Sequence, residues 1–265
     1  MVDSANNIIL SGRALYRDNQ ILSNLKDASE GGCGALGLIS NIKVKGKHIY
    51  QPSVQMQNRG NGKGGGIAAA GLDPDYLGIS NQVLKENYLL MVAFTDTSVM
   101  EELEQNFITP FFDIADARVW ETKGDYRDLG LTIKPPEVKR YFVRVKPVLL
   151  KKFMTDLPGI SARDAEDEFV WRNSYKINDS FYAGTDKRAF VLSHARDLAI
   201  LKIVGYAENV IQYYGLEEMP ANIWLSHQRY PTRGMVWHPG GSHPFIGMNQ
   251  ALIHNGGFAN YHPMT

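Results

Sequence analysis

The sequence predicts an α+β protein, and three observations carry that expectation. Segments with strand character come first, helical patterns dominate the middle, and strands return near the end, without the regular alternation a parallel doubly wound sheet requires. At 265 residues the chain is long enough to bury a substantial core as one large domain or two modest ones. No run approaches the roughly 18 apolar residues needed to cross a bilayer.

Composition narrows the classes further. Lys plus Arg and Asp plus Glu number 28 each, so the formal charge is zero and neither nucleic acid nor an anionic membrane surface is favoured as a partner. The single cysteine excludes an intrachain disulfide and any metal site built from cysteines alone. That usage suits a reducing compartment. The N-terminus lacks the basic flank and continuous apolar core of a signal peptide, so a cytoplasmic location is expected.

In chain order, residues 1–32 read as a leader, with Ile8-Ile9-Leu10 as a short strand and Asp27 to Gly32 as a breaker before Cys33. Gly34 to Ser40 has β character, and Lys43, Lys45 and Lys47 alternate with Val44 and Gly46 as an edge strand or hairpin would. Val54 to Asn58 reads as a helical turn. The run Arg59-Gly-Asn-Gly-Lys-Gly-Gly-Gly66 invites a phosphate-loop reading, but no Gly-Lys is followed by Ser or Thr, and Ile67 to Ala70 continues as a strand.

Asn87 to Thr95 is a buried-strand pattern, Val99 to Phe107 a helix, and Val138 to Val145 an alternating strand. Lys146 to Phe153 opens a helix with Pro147 in its first turn, where a missing N–H costs little. Ser161, with Asp164 three positions on, offers an N-cap for a second helix. Lys187 to Ser193 is a strand, Tyr206 to Tyr214 a helix closed by Gly215, and Asn222 to Ser226 a strand running straight into His227-Gln-Arg.

Three pieces bear chemistry. Cys33, between Gly31-Gly32 and Gly34, is a candidate nucleophile; Arg229 has the planar fork that grips a carboxylate; Asn255-Gly256 offers donors for an oxyanion. Each has a plainer reading: a loop entering a strand, a salt bridge at a strand end, and a type I′ hairpin turn. The histidines His238, His243, His254 and His262 raise a metal-binding alternative, but their spacings match no familiar site.

Four segments in order resemble the glutaminase domain of the class II, N-terminal-nucleophile glutamine amidotransferases. They are Cys33-Gly-Ala-Leu-Gly37, Asn58-Arg-Gly-Asn-Gly-Lys-Gly-Gly-Gly-Ile67, His227-Gln-Arg-Tyr-Pro-Thr232 and His254-Asn-Gly256. Trp237 to Phe245 and Val204 to Gly215 are similar to tracts of the glutamate synthase branch in particular.

The resemblance implies a four-layer αββα sandwich of the Ntn-hydrolase type. It also implies that glutamine is hydrolysed to glutamate through a thioester on Cys33, with the ammonia passed to a synthase partner that carries FMN and iron–sulfur centres. Arg229 would hold the glutamine α-carboxylate, Thr232 would support that pocket, and Asn255 with Gly256 would form the oxyanion hole. No cofactor and no metal is expected on this chain, since one cysteine cannot ligate a cluster.

Two departures qualify the resemblance. The family's base is the free α-amine of the nucleophilic cysteine, whereas Cys33 follows 32 residues, so residues 1–32 are read as a propeptide to be removed. The alternative is a non-catalytic, unprocessed assembly subunit. The family also places an Asp downstream of Asn-Gly, and none follows Asn255 here. Residues 33–265 are accordingly read as an amidotransferase domain with a long insertion at about 80–220 and without its C-terminal part.

Overall fold

A computed structural model describes residues 32–230 and 237–255, all in the unit that begins at Gly32. The leader reading, including the strand at Ile8 to Leu10, lies outside those residues. The first strands are β1 (Gly34–Lys45), β2 (Gly65–Ala70), β3 (Tyr88–Phe94), β4 (Phe112–Val119) and β5 (Glu137–Val145). They are followed by β6 (Ala189–Ala195), β7 (Leu198–Ile203), β8 (Pro220–Gln228), β9 (Phe245–Gly247) and β10 (Gln250–Leu252). The helices are α1 (Lys47–Gln55), α2 (Pro74–Leu77), α3 (Asn81–Glu86), α4 (Met100–Leu103), α5 (Pro147–Thr155), α6 (Ala162–Phe181) and α7 (Ala207–Tyr213). Among the described residues no helix is long and apolar enough to cross a membrane.

The strands form two four-stranded sheets, ordered β1-β8-β2-β7 and β4-β5-β3-β6, and a small β9-β10 ribbon. Every pairing is antiparallel. This is a mixed α+β architecture, and the continuous apolar sequence of β3 explains how it is layered. A strand without polar alternation must be covered on both faces. Leu89, Met91 and Ala93 join a cluster with Ile200, Ala68 and Trp224 of the first sheet, while Tyr88, Leu90, Val92 and Phe94 join a second cluster with Val170, Ile177 and Phe181 of α6. All seven β3 residues are buried, and burying each large side chain contributes about 1.5–3 kcal/mol.

The cap of α6 is as the sequence predicts: Ser161 Oγ accepts from the backbone N–H of Asp164 at 3.1 Å. On the far face of the first sheet lie α1 and α7. Ser53 of α1 meets Ser226 of β8, with their Oγ atoms 2.8 Å apart, and Val210 and Ile211 of α7 enter the same core as Trp224. Residues 80–220 supply both β3 to β7 and α3 to α7, so they build the whole second sheet and are woven into the core.

Four strands are missing from the sequence reading: the short β9 and β10 of the ribbon, and β4 and β7, which lie at edges of the two larger sheets. Edge strands carry charge that discourages pairing with other chains, which disguises them. Asp113 and Asp116 interrupt β4, and Lys202 interrupts β7. The helical turn expected at Val54 belongs to a longer helix that starts at Lys47 and contains Pro52, a residue that argues against helix in a sequence.

Candidate functional site

The candidate site is assembled around the C-terminal end of β8. In the β1–β8 register Gly34 lies opposite Gln228 and Ala35 opposite His227, which brings Cys33, just ahead of β1, to the residues just beyond β8. The backbone N–H of Tyr230 donates to Cys33 Sγ at 3.3 Å across a sequence separation of 197. β2 flanks β8 on its other side, with Gly65 opposite Gln228 and Gly66 opposite His227.

The glycine run is shaped for Arg229. Arg229 N–H donates to the Gly64 carbonyl at 2.8 Å, and Asn61 N–H donates to the Arg229 carbonyl at 3.3 Å. A Cβ at Gly64 would lie 2.2 Å from Ser242 Oγ and 2.9 Å from Arg229 Cδ, so only glycine lets the arginine lie against the loop. Gly62, at φ +71°, sits against the Tyr206 ring. The run then enters β2, a strand, which removes the helix N-terminus that a phosphate loop needs.

Burial pulls the Arg229 guanidinium below its usual range, and Cys33 and Tyr182 act in the opposite direction. The three groups therefore share one neighbourhood. At Gly32 an added Cβ would lie 3.3 Å from Arg59 Nη2 and 3.4 Å from Asn255 Oδ1. The residue preceding Cys33 is thus flanked by Arg59 and by Asn255. Thr232 and Gly256 lie outside the described residues. Arg59 has no role in the sequence reading, although the Asn58-Arg-Gly segment that carries it was the available signal.

Behind this surface a buried amide network fixes the end of β8. Gln228 Nε2 donates to Glu208 Oε2 at 2.7 Å and to the Ser53 carbonyl at 3.0 Å, while its Oε1 accepts from Ala207 N–H at 3.0 Å. Gln57 Nε2 donates to the other Glu208 oxygen at 2.8 Å. Burial raises the Glu208 pKa despite these bonds. The network ties α1, α7 and β8 together beneath Cys33 and Arg229.

A second group lies on the face of the sheet that bears His227; the sequence reading names His227 and His243 separately but neither Lys202 nor the grouping. Gly66 pairs with His227 on one side and with Lys202 on the other, so a residue without a side chain separates two bases. The His243 carbonyl fills the space above Gly66, 2.0 Å from where a Cβ would stand. The His227 and His243 rings are 4.4 Å apart, and Lys202 Nζ lies 4.6 Å from the Phe245 ring centroid.

Burial lowers Lys202 to about 7, His227 to about 4 and His243 to about 3, and repulsion from Lys202, Arg229 and His254 adds to the shifts of the two rings. His227 Nε2 donates to the His254 carbonyl at 2.9 Å, which leaves the lone pair on Nδ1, and among the described residues that buried atom has no hydrogen-bond partner.

The metal alternative finds no geometry. Among the described residues no group of three or more His, Cys, Asp and Glu side chains could hold an ion. His238 is engaged elsewhere: its Nδ1 accepts from Gly240 N–H at 3.0 Å and its Nε2 donates to the Lys187 carbonyl at 3.3 Å. His262 lies outside the described residues.

No family model matches the chain. It is similar to an uncharacterized protein of Archaeoglobus fulgidus, with 30% identity over 241 residues. The match covers 89% of this chain and 56% of that relative, so the chain spans little more than half the relative's length.

Proposed function

We propose that this chain is the glutaminase part of a class II glutamine amidotransferase of the glutamate synthase kind. The observation that carries the reading is the meeting of Cys33 with Arg229 and Tyr230 at the end of β8, with Asn255 and Arg59 at the residue before the cysteine. A thiol, a guanidinium and a side-chain amide converge from three distant parts of the chain. Two antiparallel sheets that share a core, with α1 and α7 packed on the first and α6 on the second, support the expected αββα sandwich.

In this chemistry the Cys33 sulfur attacks the side-chain carboxamide carbon of glutamine while Arg229 holds the α-carboxylate. The Asn255 side-chain amide and the Gly256 backbone N–H receive the developing oxyanion, a contribution on the order of 10²-fold or more in rate per donor. The thiol proton goes to the cysteine's α-amine and then to the departing nitrogen, so ammonia leaves and a thioester forms. Water then cleaves the thioester, releasing glutamate and restoring the thiol. Only a Cys33 with a free α-amine, of ordinary pKa near 7.7–8.0, has this base. The ammonia would pass to a separate synthase subunit carrying FMN and iron–sulfur centres.

The reading is tested by measuring glutamate release from glutamine with the chain beginning at Cys33 and with its Cys33→Ala variant. The expected result is release by the first and at least a hundredfold loss in the second. Equal rates would overturn it. In the alternative of an unprocessed assembly subunit, Gly32 stays against Asn255 and Arg59. N-terminal sequencing of purified protein separates the two readings, since the glutaminase must begin at Cys33.

A further inference from the structure

Distant from Cys33, beyond the C-terminal end of α7, α2 and the β4–β5 edge enclose a cavity of about 360 Å³. That volume falls within the roughly 300–1,000 Å³ of small-molecule sites. Its walls include Leu77, Trp120, Tyr214, Arg118 and Arg140. Most wall groups with hydrogen-bonding capacity are already engaged. Tyr76 Oη donates to the Gly215 carbonyl at 2.9 Å, Tyr214 Oη to the Pro136 carbonyl at 2.7 Å, and Trp120 Nε1 to the Tyr214 carbonyl at 3.0 Å.

Arg140 is the exception. Its side chain is only 8% exposed, yet among the described residues its one hydrogen bond runs to the Leu77 carbonyl at 2.6 Å. Its ion pair with Asp116 Oδ2 is 3.6 Å long, and that buried oxygen makes no hydrogen bond. Asp116 is held instead by Arg118 Nε at 2.8 Å through its other oxygen. A guanidinium carries five N–H donors, and most of those on Arg140 have no protein acceptor among the described residues; the group lies 5.9 Å from the Trp120 ring centroid and 5.7 Å from that of Phe142. A ligand oxygen in the cavity would supply the missing acceptor.

We propose that this cavity binds a small carboxylate with a flat apolar body, the carboxylate on the fork of Arg140 beside Arg118 and the body against Trp120 and Leu77. Charge selects the carboxylate over more highly charged anions. Lys123 is taken by Glu217 at 3.2 Å and Arg118 by Asp116 at 2.8 Å, which leaves Arg140 as the cation with N–H groups to offer, while Glu121 on the wall opposes a second negative charge on a ligand. The planar fork suits two carboxylate oxygens. The site is separate from the glutamine chemistry proposed above, and α7 spans the distance between them.

The test is titration of the full chain with benzoate, followed by tryptophan fluorescence and calorimetry, with benzyl alcohol and phenyl phosphate as comparators. Saturable benzoate binding is expected, with both comparators at least about tenfold weaker. Arg140→Lys, which keeps the charge and loses the fork, should weaken benzoate by about tenfold. Arg118→Gln, at the more exposed wall, should weaken it less, and Cys33→Ala should leave it unchanged. Binding of benzyl alcohol as tight as benzoate would overturn the proposal, as would no saturation at millimolar benzoate. So would binding indifferent to both arginine changes, or lost in Cys33→Ala. Should Arg140→Lys fail to fold, the Arg118→Gln result decides.

Discussion

Two of the places where ionisable groups are buried among the described residues are built differently. Beside α6, Glu166 is surrounded by opposite charge: Arg196 Nη2 lies 3.1 Å from its Oε2, Arg144 Nε lies 3.8 Å from its Oε1, and Val145 N–H donates to it at 3.2 Å. Arg196 also donates to Tyr88 Oη at 2.7 Å. On the first sheet, Lys202, His227 and His243 face one another with no carboxylate acting on any of them. The first arrangement neutralises charge and holds β5, α6 and the β6–β7 turn together. The second lowers the pKa of three bases by burial, with repulsion from neighbouring cations added at the two rings, on the sheet whose edge strand β1 follows Cys33. Perturbed bases without partners gather where chemistry happens more often than where structure alone is served, so the contrast separates scaffold from site.

Acid gives the largest break in this comparison. Unfolded, each histidine takes a proton near pH 6.5. Folded, His227 waits until about 4, His243 until about 3, and His194 until about 4. His194 belongs with them because its Nε2 accepts from Met248 N–H at 3.2 Å, at the turn of the β9–β10 ribbon, and its buried Nδ1 has no partner. Below pH 6.5 the unfolded chain binds more protons, so stability falls as pH drops from about 6.5 toward 4. Each ring contributes on the order of 3 kcal/mol of that loss. Urea unfolding at pH 7.5, 6 and 5 should show midpoints falling progressively, and a flat series would erase the distinction.

Lys202 sharpens the same contrast at neutral pH. Its pKa drops from an ordinary 10.5 to about 7 on folding, so stability is lost as pH falls from about 10.5 to 7 and then changes no further on its account. Lys202→Met removes that cost and is expected to stabilise the fold at pH 7 by roughly 4 kcal/mol, read from urea unfolding. A destabilised variant would mean that the lysine has an acidic partner after all. In glutaminase assays the same variant tests whether this neighbour of His227 matters to the proposed site.

These bases also mark how far the sequence could be read. β3, β5, β8 and α6 were legible because their patterns are local: a continuous apolar run, an alternation, a Ser161 cap. Cys33, Arg59, Arg229 and Asn255 were visible as motif residues, and the β1–β8 register turns sequence order into adjacency. What could not be read is pairing across distance. Lys202 looks like the polar residue that ends a strand, and only the β2–β7–β8 register sets it across Gly66 from His227. Gln228 reads as filler between His227 and Arg229, yet its amide joins Glu208, Ser53 and Ala207. Edge strand β4 was hidden by Asp113 and Asp116, and β7 by Lys202, a lysine that turns out to be buried.

The paired side of the comparison makes the opposite prediction. Glu166→Gln keeps the size and shape of the side chain but removes the charge that answers Arg196 and Arg144. The arginine at position 196 then remains largely buried, with its Nε already lacking a partner. Breaking a buried pair by neutralising one member costs about 3 kcal/mol, most of it the penalty on the charge left behind. The loss should appear in urea unfolding at pH 7 and should be partly recovered by Arg196→Met in the Glu166→Gln background, since that second change removes the stranded cation. If the double variant is no more stable than the single one, Glu166 acts through its bond to Val145 N–H and not through charge, and the two buried groups differ less than their geometry implies.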